Sequence, residues 1–266
     1  MLELYTHPMS PCAQKVRLVL HEKGLEWTSH HVELSQKENL RPEYLALNPL
    51  GVVPTLVHEG RPVIESSIIC EYLEDAFPRP ALRPADAHAR ARMRFWMKQV
   101  DNRLHPACGA LQWPLIMRPA LLEKPVEERE ALLAQVPEAP RRERQRRLLE
   151  HGLDAPDVSA AVGTYRELIQ AMDRALAETE WVAGGQFSLA DASLAPYFQT
   201  LHQFDWLDLF VDSDRVTRWY ERCRERDSYR EAVSRDFPTE TLAQLRRDGQ
   251  AAREQVAVHL PPATAQ

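Results

Sequence analysis

The chain has 266 residues, enough to bury one large core or two moderate ones, and two domains are the expected division. Apolar residues at 44% and charged residues at 27% describe an ordinary water-soluble protein rather than a disordered or membrane-embedded one. With 33 Lys and Arg against 39 Asp and Glu, the net charge of -6 offers no general attraction to nucleic acid or anionic lipid. The start MLELYTHPMS has neither a basic nor an apolar leader region, and no run of about 18 apolar residues occurs. A cytoplasmic location with no membrane partner is therefore expected. Cys12, Cys70, Cys108 and Cys223 are scattered without CxxC or zinc-type spacing, which predicts reduced thiols, mostly in the core, and no metal.

Leu2 and Leu4 alternate with Glu3 and Tyr5 in a short first strand. Ser10-Pro11 opens a helix with Ser10 as N-cap, Ala13, Val16 and Leu20 as its apolar face, and Gly24 just beyond its end. His30, Val32 and Leu34 predict a second strand, followed by a short helical segment near Pro42 to Leu47. Thr55 to His58, the turn Glu59-Gly60, and Pro62 to Ile64 read as an antiparallel hairpin. A third helix carries Ile68, Ile69, Tyr72, Leu73 and Phe77 and stops before Pro78. The order β-α-β-short α-β-β-α is that of a thioredoxin-like α/β domain.

Beyond about residue 85 the strand signal ends. Met93, Trp96, Val100, Leu104, Cys108, Leu111 and Leu115 predict one long helix kinked at Pro106. A Pro- and charge-rich stretch from Arg118 to Pro156 follows, whose Arg141 to Arg147 run reads as a solvated helix face. Val158 to Leu176 carries a second apolar stripe. Ser188-Leu189-Ala190-Asp191 resembles a capping box ahead of a helix through Phe198, and Val216, Trp219, Tyr220 and Cys223 mark another. The expected organisation is an α/β domain at 1–80, an all-α helical bundle at 88–240, and a terminal helix with a flexible tail at 241–266.

Three places carry chemistry. Asn48-Pro49-Leu50-Gly51-Val52-Val53-Pro54 puts a proline at a strand entrance. A cis Val53-Pro54 bond there would turn the Val53 main chain outward to pair with an extended peptide; an ordinary trans turn proline is the alternative. Glu65-Ser66-Ser67 starts a helix, where hydroxyls and N–H groups suit a carboxylate, or where Ser66 serves as a plain N-cap. Ser10 caps the first helix, and its hydroxyl can also donate to a thiolate favoured by the helix dipole.

Together these segments resemble the soluble glutathione transferase family. Ser10 to Arg17 is similar to the family's active-site helix start, Asn48 to Pro54 to its NPxGxVP segment, and Glu65-Ser66 to its glutamate-serine pair. Ser188 to Asp191 is similar to the capping motif of its helical domain. The resemblance implies that Ser10 hydrogen-bonds the glutathione sulfur and that Val53 pairs with the cysteinyl moiety beside cis-Pro54. It implies that Glu65 and Ser66 hold the γ-glutamyl end, and that Lys37 or Asn39 meets the glycine carboxylate. Glutathione would be the co-substrate, and a small hydrophobic electrophile the second substrate. Detoxification would be the physiological setting and a homodimer the expected assembly. The serine at position 10 and the Glu65 to Pro78 helix resemble theta-type and bacterial members that cleave aryl ethers or dehalogenate small molecules. The second substrate would meet the first-domain loop and the long helix carrying Trp96, Gln99, Arg103 and His105.

Cys12, two residues into the same helix, leaves a second chemistry open. As a helix-stabilised thiolate it would form mixed disulfides with glutathione, making the chain a thiol–disulfide oxidoreductase. A non-catalytic binding module on the same fold is the third reading.

Overall fold

A computed structural model describes residues 1–235 and 237–260. The expected tail Pro261 to Gln266 lies outside the described residues. The chain divides into two compact units. One comprises Met1–Val100, Asp173–Pro196 and Arg215–Pro238, and the other Asp101–Met172, Tyr197–Asp214 and Thr239–Gln266.

The first unit is built on β1 (Leu2–Thr6), α1 (Pro11–Glu22), β2 (Thr28–His31), α2 (Pro42–Leu45), β3 (Thr55–His58), β4 (Arg61–Val63) and α3 (Ser66–Ala76). The sheet order is β2-β1-β3-β4, with β1 parallel to β2 and the other pairs antiparallel, which is the thioredoxin-like arrangement. Glu59 and Gly60 both take positive φ, 52° and 76°, as a two-residue hairpin turn matched to strand twist requires. Packing of α1 on α3 closes the core with Leu4, Ala13, Val16, Leu20, Leu56, Ile69 and Leu73, all fully buried. Ile68, counted into the apolar face from its spacing, instead stands 59% exposed. A buried ion pair joins the two helices: Lys23 Nζ lies 2.6 Å from Glu74 and also donates to the carbonyls of Phe77 and Pro80.

The predicted single helix through Pro106 is interrupted. Helix α4 (Ala87–Gln99) passes into a π-helical stretch, Val100–Leu104, before α5 (His105–Ile116). Proline has no N–H and its ring crowds the carbonyl four residues back, so the wider turn falls just ahead of Pro106. The Pro- and charge-rich stretch forms helices at Arg118–Leu122, Val126–Ala134 and Ala139–His151, the last of which carries the Arg141 to Arg147 run read as a helix face. Two of its arginines form ion pairs: Arg146 with Glu143 and Glu130, and Arg147 with Asp157. Further helices span Pro156–Glu178, Leu189–Gln203, Asp214–Glu225 and Thr239–Ala257. Among the described residues no helix is long and apolar enough to cross a membrane.

Asp191 fixes the start of Leu189–Gln203. It is fully buried, and burial pushes its carboxyl up against donated hydrogen bonds that pull it down. Oδ1 accepts from the Val182 N–H at 3.1 Å and Trp219 Nε1 at 2.9 Å; Oδ2 accepts from the Ser188 N–H and Oγ at 3.0 and 2.9 Å. An amide offers one oxygen where the carboxylate offers two, so Asp191→Asn turns an NH2 toward donors. Each donor so orphaned costs about 1–3 kcal/mol, and the variant's urea midpoint should fall accordingly.

Candidate functional site

Sheet register decides which loops meet. Parallel β1 and β2 both exit at one end, where Thr6 pairs with His31. At that same end β3 enters, because Thr55 lies opposite Tyr5, and β4 exits, because Val63 lies opposite Leu56. The segments His7–Ser10, Glu33–Asn39, Val53–Pro54 and Glu65–Ser66 therefore share one end of the sheet.

The turn carrying Ser10 is held by two buried side chains of α1. Arg17 donates through Nη1 to Thr6 Oγ1 at 2.8 Å and His7 O at 3.1 Å, and through Nη2 to Pro8 O at 3.0 Å. Its Nε donates to Ala232 O at 2.9 Å, and Gln14 Nε2 adds a second bond to Pro8 O at 2.9 Å. Ser10 is the N-cap of α1, accepting the Ala13 N–H at 3.4 Å, while its own N–H donates to His7 O. Among the described residues its hydroxyl proton has no acceptor, so the O–H is available to a ligand. Cys12 sits half-buried in the first turn of the same helix; Cys70, Cys108 and Cys223 are buried.

The Val53-Pro54 bond is cis. Among the described residues neither the N–H nor the C=O of Val53 has a hydrogen-bond partner. The neighbouring chain is pinned from beneath. Tyr44 Oη and Asn48 Nδ2 donate to Val52 O at 2.6 and 2.8 Å, and both reach Thr55 Oγ1. Gly51 takes φ +59°, which strains any other residue, and a Cβ there would also displace the end of the Leu40 side chain at 2.7 Å and crowd the Asn39 carbonyl at 3.3 Å.

At the start of α3 the structure departs from simple capping by Ser66. Glu65 is the N-cap, at φ 69° and ψ 111°, and makes no side-chain cap bond; Ser66 is the first helical residue and is buried. A non-glycine residue at positive φ is costly and marks a site held by its surroundings. Lys15, fully buried in α1, donates to Ser67 Oγ at 2.8 Å and ties the two helix starts together. Lys37 caps a short 3-10 turn in a left-handed conformation, and burial pushes its ammonium down. Asn39 spends an amide proton on Gly51 O at 2.7 Å, which braces the loop.

Sequence reasoning missed one cluster at this end. His7, His31 and Glu33 bring their ligand atoms within 4.8 Å of one another. Burial pushes His7 down, and hydrogen bonds from Ser35 hold the Glu33 carboxyl at about 2. No spacing rule links residues 24 apart; only the parallel pairing of β1 with β2 joins them.

Comparison with known proteins places this geometry. The glutathione S-transferase N-terminal domain family matches residues 9–76, and the glutathione S-transferase C-terminal domain family matches 139–222. Protein LigF of Sphingobium sp. strain SYK-6 is 30% identical over 192 residues, 71% of this chain and 75% of that protein. The crystal structure of the β-etherase LigF superposes with TM-score 0.80 at 27% identity, covering 88% of this chain and 99% of that one. A theta class glutathione S-transferase from Xanthomonas axonopodis pv. citri, solved with glutathione bound, gives TM-score 0.62 at 25% identity over 87% and 96% of the two chains.

The chain belongs to the glutathione S-transferase family. It is a transferase of that enzyme type, with a thioredoxin-like N-terminal region and a helical C-terminal region.

The Arg17 fork makes a stability prediction. Arg17→Lys replaces a planar fork serving four acceptors with a point donor that cannot span them. At least one buried carbonyl is then left unpaired, and urea denaturation should show a loss of about 1–3 kcal/mol with the m-value unchanged.

Proposed function

We propose that this enzyme binds glutathione at the shared end of the sheet and presents its thiolate to a small hydrophobic electrophile. The observation that carries this is the unpaired Val53 main chain lying at the same sheet end as the free Ser10 hydroxyl. An extended tripeptide adds to such a main chain as an extra strand, leaving its cysteinyl side chain directed along the sheet end. In this reading the Ser10 O–H donates to the sulfur, and the N-terminus of α1 adds favourable potential. The positive-φ Glu65 and the uncapped start of α3, with Ser66, receive the γ-glutamyl amine and carboxylate. Lys37 and the remaining amide capacity of Asn39 serve the glycine carboxylate. Pro54 shapes the entrance, and no metal takes part in this chemistry. The division into domains at 1–80 and 88–240, a cytoplasmic location and a homodimeric assembly belong to the same reading.

The likeness to a β-etherase supports ether cleavage as the reaction. The thiolate attacks the carbon bearing the ether oxygen, a C–S bond forms as the C–O bond breaks, and the aryl oxide leaves with the electron pair. The protein's work is then to orient two reactants and to hold a sulfur anion.

Three variants test the assignment against the Cys12 oxidoreductase reading. Ser10→Ala should lower turnover about a hundredfold, comparable to losing one oxyanion-hole donor, while calorimetry finds glutathione affinity nearly intact. The lost cap costs only about 1 kcal/mol, so the variant folds. Glu65→Ala should show the converse, weak glutathione binding with the bound thiol still activated. Cys12→Ser should be nearly neutral in conjugation and ether-cleavage assays. An inactive Cys12→Ser, with a glutathione adduct on Cys12 in the wild type by mass spectrometry, would transfer the chemistry to the disulfide reading.

A further inference from the structure

We propose that His7, His31 and Glu33 form a binding site for one divalent transition-metal ion, beside the turn that carries Ser10. The donor set is two imidazoles and a carboxylate, drawn from the adjacent exits of two parallel strands. Their ligand atoms lie within 4.8 Å of one another, and His31 Nε2 is already 3.4 Å from Glu33 Oε2. Bonds of about 2.0–2.2 Å in tetrahedral geometry put neighbouring donors about 3.3–3.5 Å apart, so one edge of the site is already at its bound length.

The donors are mounted on rigid elements. The Val32 N–H bonds Thr6 O at 2.9 Å, which fixes the spacing between the residues that follow β1 and β2. Glu33 is oriented twice over: its Oε1 accepts the Ser35 N–H at 3.0 Å and Ser35 Oγ at 2.7 Å, leaving Oε2 toward His31. Its own N–H is held by Glu38 Oε2 at 2.8 Å. Such outer partners are what set a ligating carboxylate's direction. The His31 side chain is 53% exposed, so it can turn the short distance that closes the triangle. His7 Nδ1 accepts a long 3.3 Å bond from the Met9 N–H; a metal on Nε2 would trade that bond for a proton on Nδ1.

Mixed nitrogen and oxygen donors suit Zn2+, Co2+, Ni2+ or Cu2+ rather than Mg2+ or Ca2+, which take oxygen throughout. Three protein ligands leave at least one position open, as in sites that exchange ligands rather than in closed structural ones. The Ser10 N–H bonds His7 O at 3.2 Å, so an ion on His7 also restrains the backbone of the Ser10 turn.

The test uses the tag-free full chain without glutathione, so its result is independent of how the enzyme uses that tripeptide. Calorimetric titration with Zn2+ should give one ion per chain, and titration with Mg2+ no heat. Cobalt loading should produce the visible bands of a low-coordinate site without a sulfur charge-transfer band. His31→Ala and Glu33→Gln, both surface changes verified as folded by circular dichroism, should each weaken Zn2+ at least about a hundredfold. Ser35→Ala, acting only through Glu33, should weaken it about tenfold. Cys12→Ser and the control His151→Ala should bind as the wild type does. No zinc binding by the wild type, wild-type affinity in His31→Ala or Glu33→Gln, or loss confined to Cys12→Ser would each overturn the assignment.

Discussion

The guanidinium of Arg17 is the constraint on which the loop end of the sheet, where the candidate site lies, depends. It sits 3% exposed beneath the β1–α1 turn and donates to Thr6, His7, Pro8 and Ala232. A charged group out of water is tolerated only when its donors are filled, and here carbonyl and hydroxyl oxygens fill them. The consequence runs the other way as well. A turn contains carbonyls that no ladder satisfies, and Arg17 and Gln14 supply the two donors that the Pro8 carbonyl accepts. Ser10 caps α1 at the end of a turn whose preceding residues are fixed from below.

The same device recurs wherever the chain takes a direction that local preference does not supply. Tyr44 and the fully buried Asn48 hold the Val52 carbonyl and are themselves tied to the buried Thr55 hydroxyl, and the next residue leaves the loop with its main chain unpaired among the described residues. Asp191 collects four donors from three separate segments and so joins the helix starting at Leu189 to Val182 and Trp219. Buried polar groups of this kind add little net stability, since each replaces bonds to water. What they supply is a unique arrangement, because any slip leaves a donor or acceptor bare.

How far the sequence reveals this depends on the range of the interaction. Ser10-Pro11, the Glu59-Gly60 turn and the Ser188–Asp191 motif act within four residues, and their hydrogen-bond and φ requirements are written in residue type. The α3 start was readable only in part: serine suggests a cap, yet Glu65 takes the cap position at positive φ, which no residue type in the segment signals. The π-helical stretch at Val100–Leu104 was signalled by Pro106 but not located by it, since a helix can accommodate a proline anywhere in the preceding turn. Arg118 to Pro156 is dominated by proline and charge, which marks a helix face at Arg141 to Arg147 but gives no helix bounds. Yet Pro119 and Pro140 stand in the first turns of their helices, where a missing N–H costs nothing.

The clustering of His7, His31 and Glu33 was invisible for a different reason, and it says something about how this end of the sheet acquires chemistry. An antiparallel neighbour to β1 would have sent its exit to the opposite end; a parallel one returns both exits to the same place. Side chains just past two parallel strands thus meet without any sequence signature, however far apart they lie in the chain. On the other flank of β1, the antiparallel β3 brings its entrance, not its exit, to that end. The turn carrying Ser10 is therefore bordered on one side by a main chain unpaired among the described residues and on the other by imidazoles and a carboxylate. A mixed sheet supplies both borders from one strand, and the order β2-β1-β3 is sufficient to produce them.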